Sequence, residues 1–209
     1  MRKIMIGATI AALGSLPAAA AVTVSSIDGV SPYGAPATFQ FDGATPEYSG
    51  TIYTDSVGGV RAQPAGSTGG YGAVGPSNAQ SSTVLDLSAF GEISSITFLW
   101  GSVDTYNSLA ILGTGVTFNG GDEGVSPSNG DQVNPNSNRL VTLTFTGADR
   151  WNVTGLQFNS TGNAFEFDNV NVTTAGAVPE PASWALMLGG FGAIGSAMRS
   201  RRKAALSFG

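Results

Sequence analysis

The sequence predicts an all-β protein: an antiparallel β-sandwich, jelly-roll-like in its strand pattern, over residues 22–176, flanked by an N-terminal signal helix and a C-terminal transmembrane helix. Three observations predict the core. Short segments alternate apolar and polar residues, as in Val141, Leu143 and Phe145 set between Thr142, Thr144 and Thr146. Gly, Pro, Asn and Ser punctuate these segments at short intervals, as antiparallel connections require. No long stretch between the two ends carries helical periodicity.

At the N-terminus, Arg2 and Lys3 precede an uncharged, largely apolar stretch at 4–16, and Ala18 to Ala21 supply small residues in an A-x-A arrangement. This is the composition of a secretory signal peptide, assigned to 1–21, with cleavage expected after Ala20 or Ala21. The apolar stretch is shorter than the ~20 residues that span a bilayer comfortably. A retained N-terminal anchor is the alternative. The general secretion machinery and signal peptidase are the partners a signal peptide implies.

Strands are predicted at 22–27, 38–41, 50–53, 83–87, 96–100, 109–112, 115–118, 141–145, 155–158 and 165–172. The last has mixed parity. Phe165 and Phe167 share one face, and Val170 and Val172 the other. One extra residue near Asp168-Asn169, a β-bulge, brings all four to one face; a strand buried on both faces also accommodates them. Two stretches read as irregular. Residues 56–82 are rich in Gly, Pro and Ser, and 119–138 carry Asp122, Glu123, Asn129, Asp131, Asn134 and Asn136. Long loops of this kind are functional or mobile.

Composition removes whole classes of chemistry. The chain has no Cys and no His. That excludes disulfides, thiol catalysis, imidazole acid–base chemistry and zinc sites built on either residue. A core of about 155 residues is large enough to fold without disulfide staples. The formal net charge of −5 conceals a segregation. Between Val22 and Val178, Arg61, Arg139 and Arg150 face thirteen carboxylates, leaving the core near −10. Such a core repels phosphate backbones, so nucleic acid is not an expected partner. It suits a soluble extracellular domain and the uptake of divalent cations.

At the C-terminus, 182–198 is uncharged and mostly apolar, and Arg199, Arg201, Arg202 and Lys203 follow as a basic stop. As a helix, 182–198 spans about 26 Å, enough for a short membrane crossing with flanking anchors. The positive-inside rule places the basic end in the cytoplasm and the acidic domain outside. Pro179 and Pro181 restrict φ and push their predecessors toward extended backbone, so the segment before the helix is expected to be an accessible strand.

Pro179-Glu180-Pro181, two intervening residues, Trp184-Ala185, the Gly-rich apolar helix and the basic stop resemble the PEPxxWA variant of the PEP-CTERM sorting domain, over 177–209. The resemblance implies an exported bacterial protein, held transiently in the inner membrane with its C-terminus cytoplasmic. A membrane-embedded exosortase then recognises the motif, removes the tail and passes the protein to the cell surface or exterior, often alongside exopolysaccharide. An ordinary single-pass anchor with a Pro-rich hinge is the alternative reading of the same residues. The segments Trp100–Asn107 and Phe165–Val170 also resemble core patterns of other exosortase-dependent surface proteins, over short stretches only.

The expected function is therefore that of a non-enzymatic surface or extracellular-matrix protein. A carbohydrate-binding module for exopolysaccharide is the alternative, and a glycoside hydrolase a minor one. Asp104, Tyr106 and Asn107 are the candidate sugar edge, an aromatic ring beside hydroxyl-binding groups. Trp100 as core and Asp104 as a turn residue is the simpler reading. Asp122, Glu123 and Asp131 are the calcium candidates, through hard oxygen ligands. They lack EF-hand spacing, and a solvated acidic loop is the simpler reading. A hydrolase would need two carboxylates from among Glu47, Glu92, Glu123 and Glu166, and no spacing singles out a pair. No cofactor is expected, with calcium as the one possible exception.

Overall fold

Alternating apolar residues become strands nearly everywhere the pattern predicts them. The computed structural model describes residues 19–29, 37–132, 136–174, 188, 190 and 191. In chain order the elements are β1 (Ala21–Asp28), β2 (Ile52–Tyr53), β3 (Tyr71–Val74), β4 (Ser82–Asp86), β5 (Ile93–Gly101), β6 (Asn107–Leu112), β7 (Val116–Asn119), β8 (Arg139–Thr146), α1 (Asp149–Asn152), β9 (Gly155–Ser160) and β10 (Phe165–Thr174). One sheet has the order β1-β8-β5-β10-β3-β2 and the other β4-β9-β6-β7. Every pairing is antiparallel.

The two sheets close on one apolar core. Ile96, Phe98 and Trp100 of β5, Val141, Leu143 and Phe145 of β8, and Phe165, Phe167 and Val170 of β10 meet Leu85, Leu109, Ile111, Leu156 and Phe158 of the smaller sheet. Phe158 is the joint between them. Its ring stacks on Phe167 with centroids 3.6 Å apart and meets Phe165 edge-on at 5.3 Å. Trp100 is wholly buried and stacks on Phe165 at 4.1 Å. Trp100 is thus a core residue, as the simpler reading holds. Stacked and edge-on pairs each add roughly 0.5–1.5 kcal/mol beyond the area they bury.

The bulge in β10 forms where parity demands it. Asp168 pairs with Leu99 and Asn171 with Thr97, so Asn169 and Val170 together oppose Phe98. Asn169 takes φ 53°, a left-handed conformation that Asn tolerates better than most residues. Past the bulge Val170 returns to the core and Val172 packs against it.

Three expectations need correction. The strand predicted at 38–41 is reduced to a single bridge between Phe39 and Val170. The one predicted at 50–53 shrinks to its last two residues. Conversely, β3 lies inside the stretch read as irregular. Its Gly72 is required by packing, because a Cβ there would come within 2.3 Å of the Phe167 ring. The residue that suppresses the strand signal is the one that lets the ring lie flat on the strand.

The larger sheet has a second covered face. Leu99 points away from the main core and is still buried. Residues 61–67 cross above it. Pro64 lies against Gly101, and the Ala65 amide donates to Asn138 Oδ1 at 3.0 Å. This strap buries side chains that alternate with the core phenylalanines of β10.

Packing divides the chain into two units, Met1–Thr174 and Ala175–Gly209, and both sheets belong to the first. In the second, Leu188, Gly190 and Phe191 are helical. The predicted signal helix and most of the predicted membrane helix lie outside the described residues. Among the described residues, no helix is long and apolar enough to cross a membrane.

Candidate functional site

Two acids, Glu166 and Asp168, stand on the strap side of β10, one pleat apart. The alternation Phe-Glu-Phe-Asp sends the rings inward and the carboxyls to the outer face. Both acids are buried. The Glu166 carboxyl holds the strap: Oε1 accepts the Ala62 amide at 2.8 Å, and Oε2 accepts Ser102 Oγ at 2.7 Å. Burial pushes Glu166 up to about 8, against the opposing effect of those hydrogen bonds. Asn138 locks the neighbouring turn by accepting the amides of Ala65 and Ser102 on Oδ1.

Asp168 sits at the bulge. Its Oδ1 accepts the Asn169 amide at 2.7 Å. Ser67 of the strap lies against the same carboxyl, and its hydroxyl opposes the rise that burial causes. Burial again dominates, raising Asp168 to about 7, and the nearby Asp42 charge adds to it. The sequence marks Asp168 only as a structural bulge residue and Glu166 only as one of four glutamates. The cover over them comes from residues about a hundred positions away, and no local signal announces it.

The sugar-edge candidates end up in different settings. Tyr106 is about one-third exposed, and its hydroxyl donates to Asp104 Oδ2 at 2.6 Å while lying 2.7 Å from the Asn163 carbonyl. Burial raises the Asp104 carboxyl and, with the Asp104 charge beside it, raises the Tyr106 phenol as well. Asn107 is wholly buried: its Nδ2 donates to the Ala164 carbonyl, and its Oδ1 accepts Ser160 Oγ. Asp104 and Tyr106 therefore remain together at the surface, and Asn107 is a structural amide beneath them.

The calcium candidates lie on a loop. Asp122 Oδ2 accepts the Asn119 amide at 2.7 Å and shapes the turn after β7. Glu123 and Asp131 are exposed. Among the described residues, no group of three or more Asp or Glu is gathered to hold a metal ion. Of the four glutamates weighed for hydrolysis, Glu92 is paired with Arg150 at 2.7 Å and Glu166 is shut beneath the strap.

The sorting residues Pro179, Glu180, Pro181, Trp184 and Ala185 and the basic stop Arg199, Arg201, Arg202 and Lys203 lie outside the described residues. They are matched by family comparison instead: residues 177–203 fit the model of the PEP-CTERM protein-sorting motif. The chain therefore carries a PEP-CTERM sorting motif, as the resemblance implied, and that motif supports an exported protein targeted to an exosortase. The match leaves the β-domain unassigned. No curated protein and no solved structure matches the chain.

Proposed function

We propose that this chain is a non-enzymatic protein of the bacterial surface or extracellular matrix. It is exported behind its signal peptide, held in the inner membrane by 182–198 with the basic end cytoplasmic, and released by exosortase to the cell surface. The observation that carries this reading is the sorting motif at 177–203. Charge placement supports the topology, since six of the nine basic residues sit at the two ends and thirteen of the fourteen carboxylates in the domain between. The absence of His and Cys from the sequence supports a non-enzymatic role. The test is mass measurement of the mature surface form from a host with its own exosortase. Loss of the signal peptide and of the residues beyond the motif is expected. A mature form that keeps Gly209 makes the tail a permanent anchor and overturns the sorting step.

Binding of exopolysaccharide is the second reading. One observation favours it: Trp151 on α1 is 65% exposed, a large flat ring offered to solvent. Glycan-array binding that Trp151→Ala removes would support it, and binding unchanged in that variant would set it aside.

A further inference from the structure

We propose that the strap at 61–67 is a pH-operated cover: it is latched over β10 while Glu166 and Asp168 carry their protons, and it lifts as they ionise, uncovering an apolar row on the outer face of the larger sheet. The case begins with burial. Glu166 is 1% exposed and Asp168 0%. Among the described residues, no basic side chain pairs with either. Burying a carboxylate without a cation is costly, whereas the neutral acid is tolerated once hydrogen-bonded. The closed strap therefore favours the protonated acids, and water favours the ionised ones.

The surrounding groups give an ionised pair no relief. Arg61 begins the strap but turns away, donating to Asp55 at 2.9 Å and lying over the Tyr53 ring. Arg139 of β8 is turned to Asp28. Tyr71 of β3, and Asp104 and Tyr106 after β5, lie within electrostatic reach of Glu166, and none of them is basic. Asp42 stands in the same relation to Asp168. Carboxyls raised on closure stabilise the closed strap fully below their ordinary values, 4.5 for Glu166 and 3.8 for Asp168. That contribution is lost as the pH rises through about 8 for Glu166 and about 7 for Asp168.

The strap hangs between fixed ends. At one end the Val57–Arg61 bridge and the Arg61–Asp55 ion pair anchor it. At the other, Gly69 turns the chain at φ +81°, and the Gly70 amide donates to Asp42 Oδ1 at 2.9 Å. Between the anchors, Ala62 is tied to Glu166, Ala65 to Asn138, and Ser67 lies against Asp168. Two of these three ties end on the acids, so ionisation acts where the strap is held. Beneath lies an apolar row. The pairings Ile27↔Leu140 and Leu140↔Leu99 set three aliphatic side chains side by side. Ile27 is exposed at the sheet edge, and Leu140 and Leu99 are buried. Lifting the strap carries exposure inward along that row to Leu99.

The test uses the absence of cysteine from the chain. Leu99→Cys places a single thiol under the strap of the full-length protein in detergent, and its labelling rate by a maleimide is read at pH 6 and pH 8. Each rate is divided by that of Thr144→Cys, an exposed position on the same sheet face, which cancels the titration of the thiol itself. The ratio is expected to rise roughly tenfold or more between the two pH values. Glu166→Gln in the Leu99→Cys background is expected to cut that rise, and Glu166→Gln with Asp168→Asn to remove it. Leu143→Cys, on the core side of β8, is expected to show no such rise. A flat ratio overturns the switch, as does an undiminished rise in Glu166→Gln. An equal rise at Leu143→Cys also overturns it, because the whole sheet would then be opening. If Leu99→Cys does not fold, Ala62→Cys, a smaller change on the buried side of the strap, is read in the same way and decides. If the double substitution does not fold, Glu166→Gln decides alone.

Discussion

Replacing Glu166 by Gln should make the protein more stable at neutral pH, although it removes a group that clasps the strap. The carboxyl has an ordinary value of 4.5 and is pushed up to about 8 in the fold. A raised carboxyl favours the neutral form when folded. Its contribution is therefore intact below about pH 4.5, falls as the pH rises, and is fully lost above about pH 8. Each pH unit in that window costs about 1.4 kcal/mol, so the wild type forfeits roughly 3 kcal/mol at pH 7 and roughly 5 above pH 8. Gln has the same shape. Its carbonyl can accept the Ala62 amide and its NH2 can donate to Ser102 Oγ, with no charge to bury. The assay is thermal unfolding of both full-length proteins in EDTA across pH 4.5–9. Asp168 titrates in both, so the difference between the curves belongs to Glu166. Equal melting near pH 4.5 and a lead for Glu166→Gln of roughly 6–12 °C at pH 7 are expected. Parallel curves would refute the neutral carboxyl. A variant that is less stable at every pH would show that the ionised carboxylate is what the strap needs.

Other perturbations probe the packing of the sheets and the sorting of the chain. Phe167→Ala removes the ring stacked on Phe158 and should cost about 3–5 kcal/mol in denaturant unfolding; a loss under 1 kcal/mol would mean that the sheet joint lies elsewhere. Gly72→Ala forces a methyl into the same ring and should cost about 1–3 kcal/mol, with an unchanged midpoint counting against the packing reason for that glycine. Glu180→Ala should leave export and insertion intact and strand full-length precursor in the inner membrane; fractionation with mass measurement reads the outcome, and normal release of the variant would remove Glu180 from the recognition element.

What the sequence revealed and what it concealed follow from the range of the interactions involved. The strands β5 and β8 were legible because their side chains alternate against one core, and the bulge was legible because Phe165, Phe167, Val170 and Val172 cannot share a face without it. The sorting tail was legible because its recognition is linear, carried by a short motif, a helix and a basic stop in order. The strand β3 was hidden because Gly72 is chosen for the Phe167 ring across from it and not for β-propensity. Asn107 reads as a surface polar residue and is a buried amide, because its partners Ser160 and Ala164 lie more than fifty residues on. Glu166 reads only as one of four glutamates. Only the return of Ala62 across the sheet converts it into a buried one.

That return also decides where the domain should give way first. The core side of β10 is aromatic and tightly stacked, so opening it exposes several rings at once. On the strap side, a short run of backbone is held by single hydrogen bonds from Ala62 and Ala65 to side chains, over acids whose burial opposes closure at neutral pH. Local opening costs less than global unfolding wherever few apolar contacts must be broken. Amide exchange at Ala62 should therefore be faster than at Phe167, and the gap should widen from pH 5 to pH 8 once intrinsic exchange rates are divided out, because ionisation of Glu166 weakens the strap and leaves the stacked rings unchanged. Equal protection of the two amides across that range would mean that strap and sheet open as one unit, and the acids would then burden the whole fold and not its cover alone.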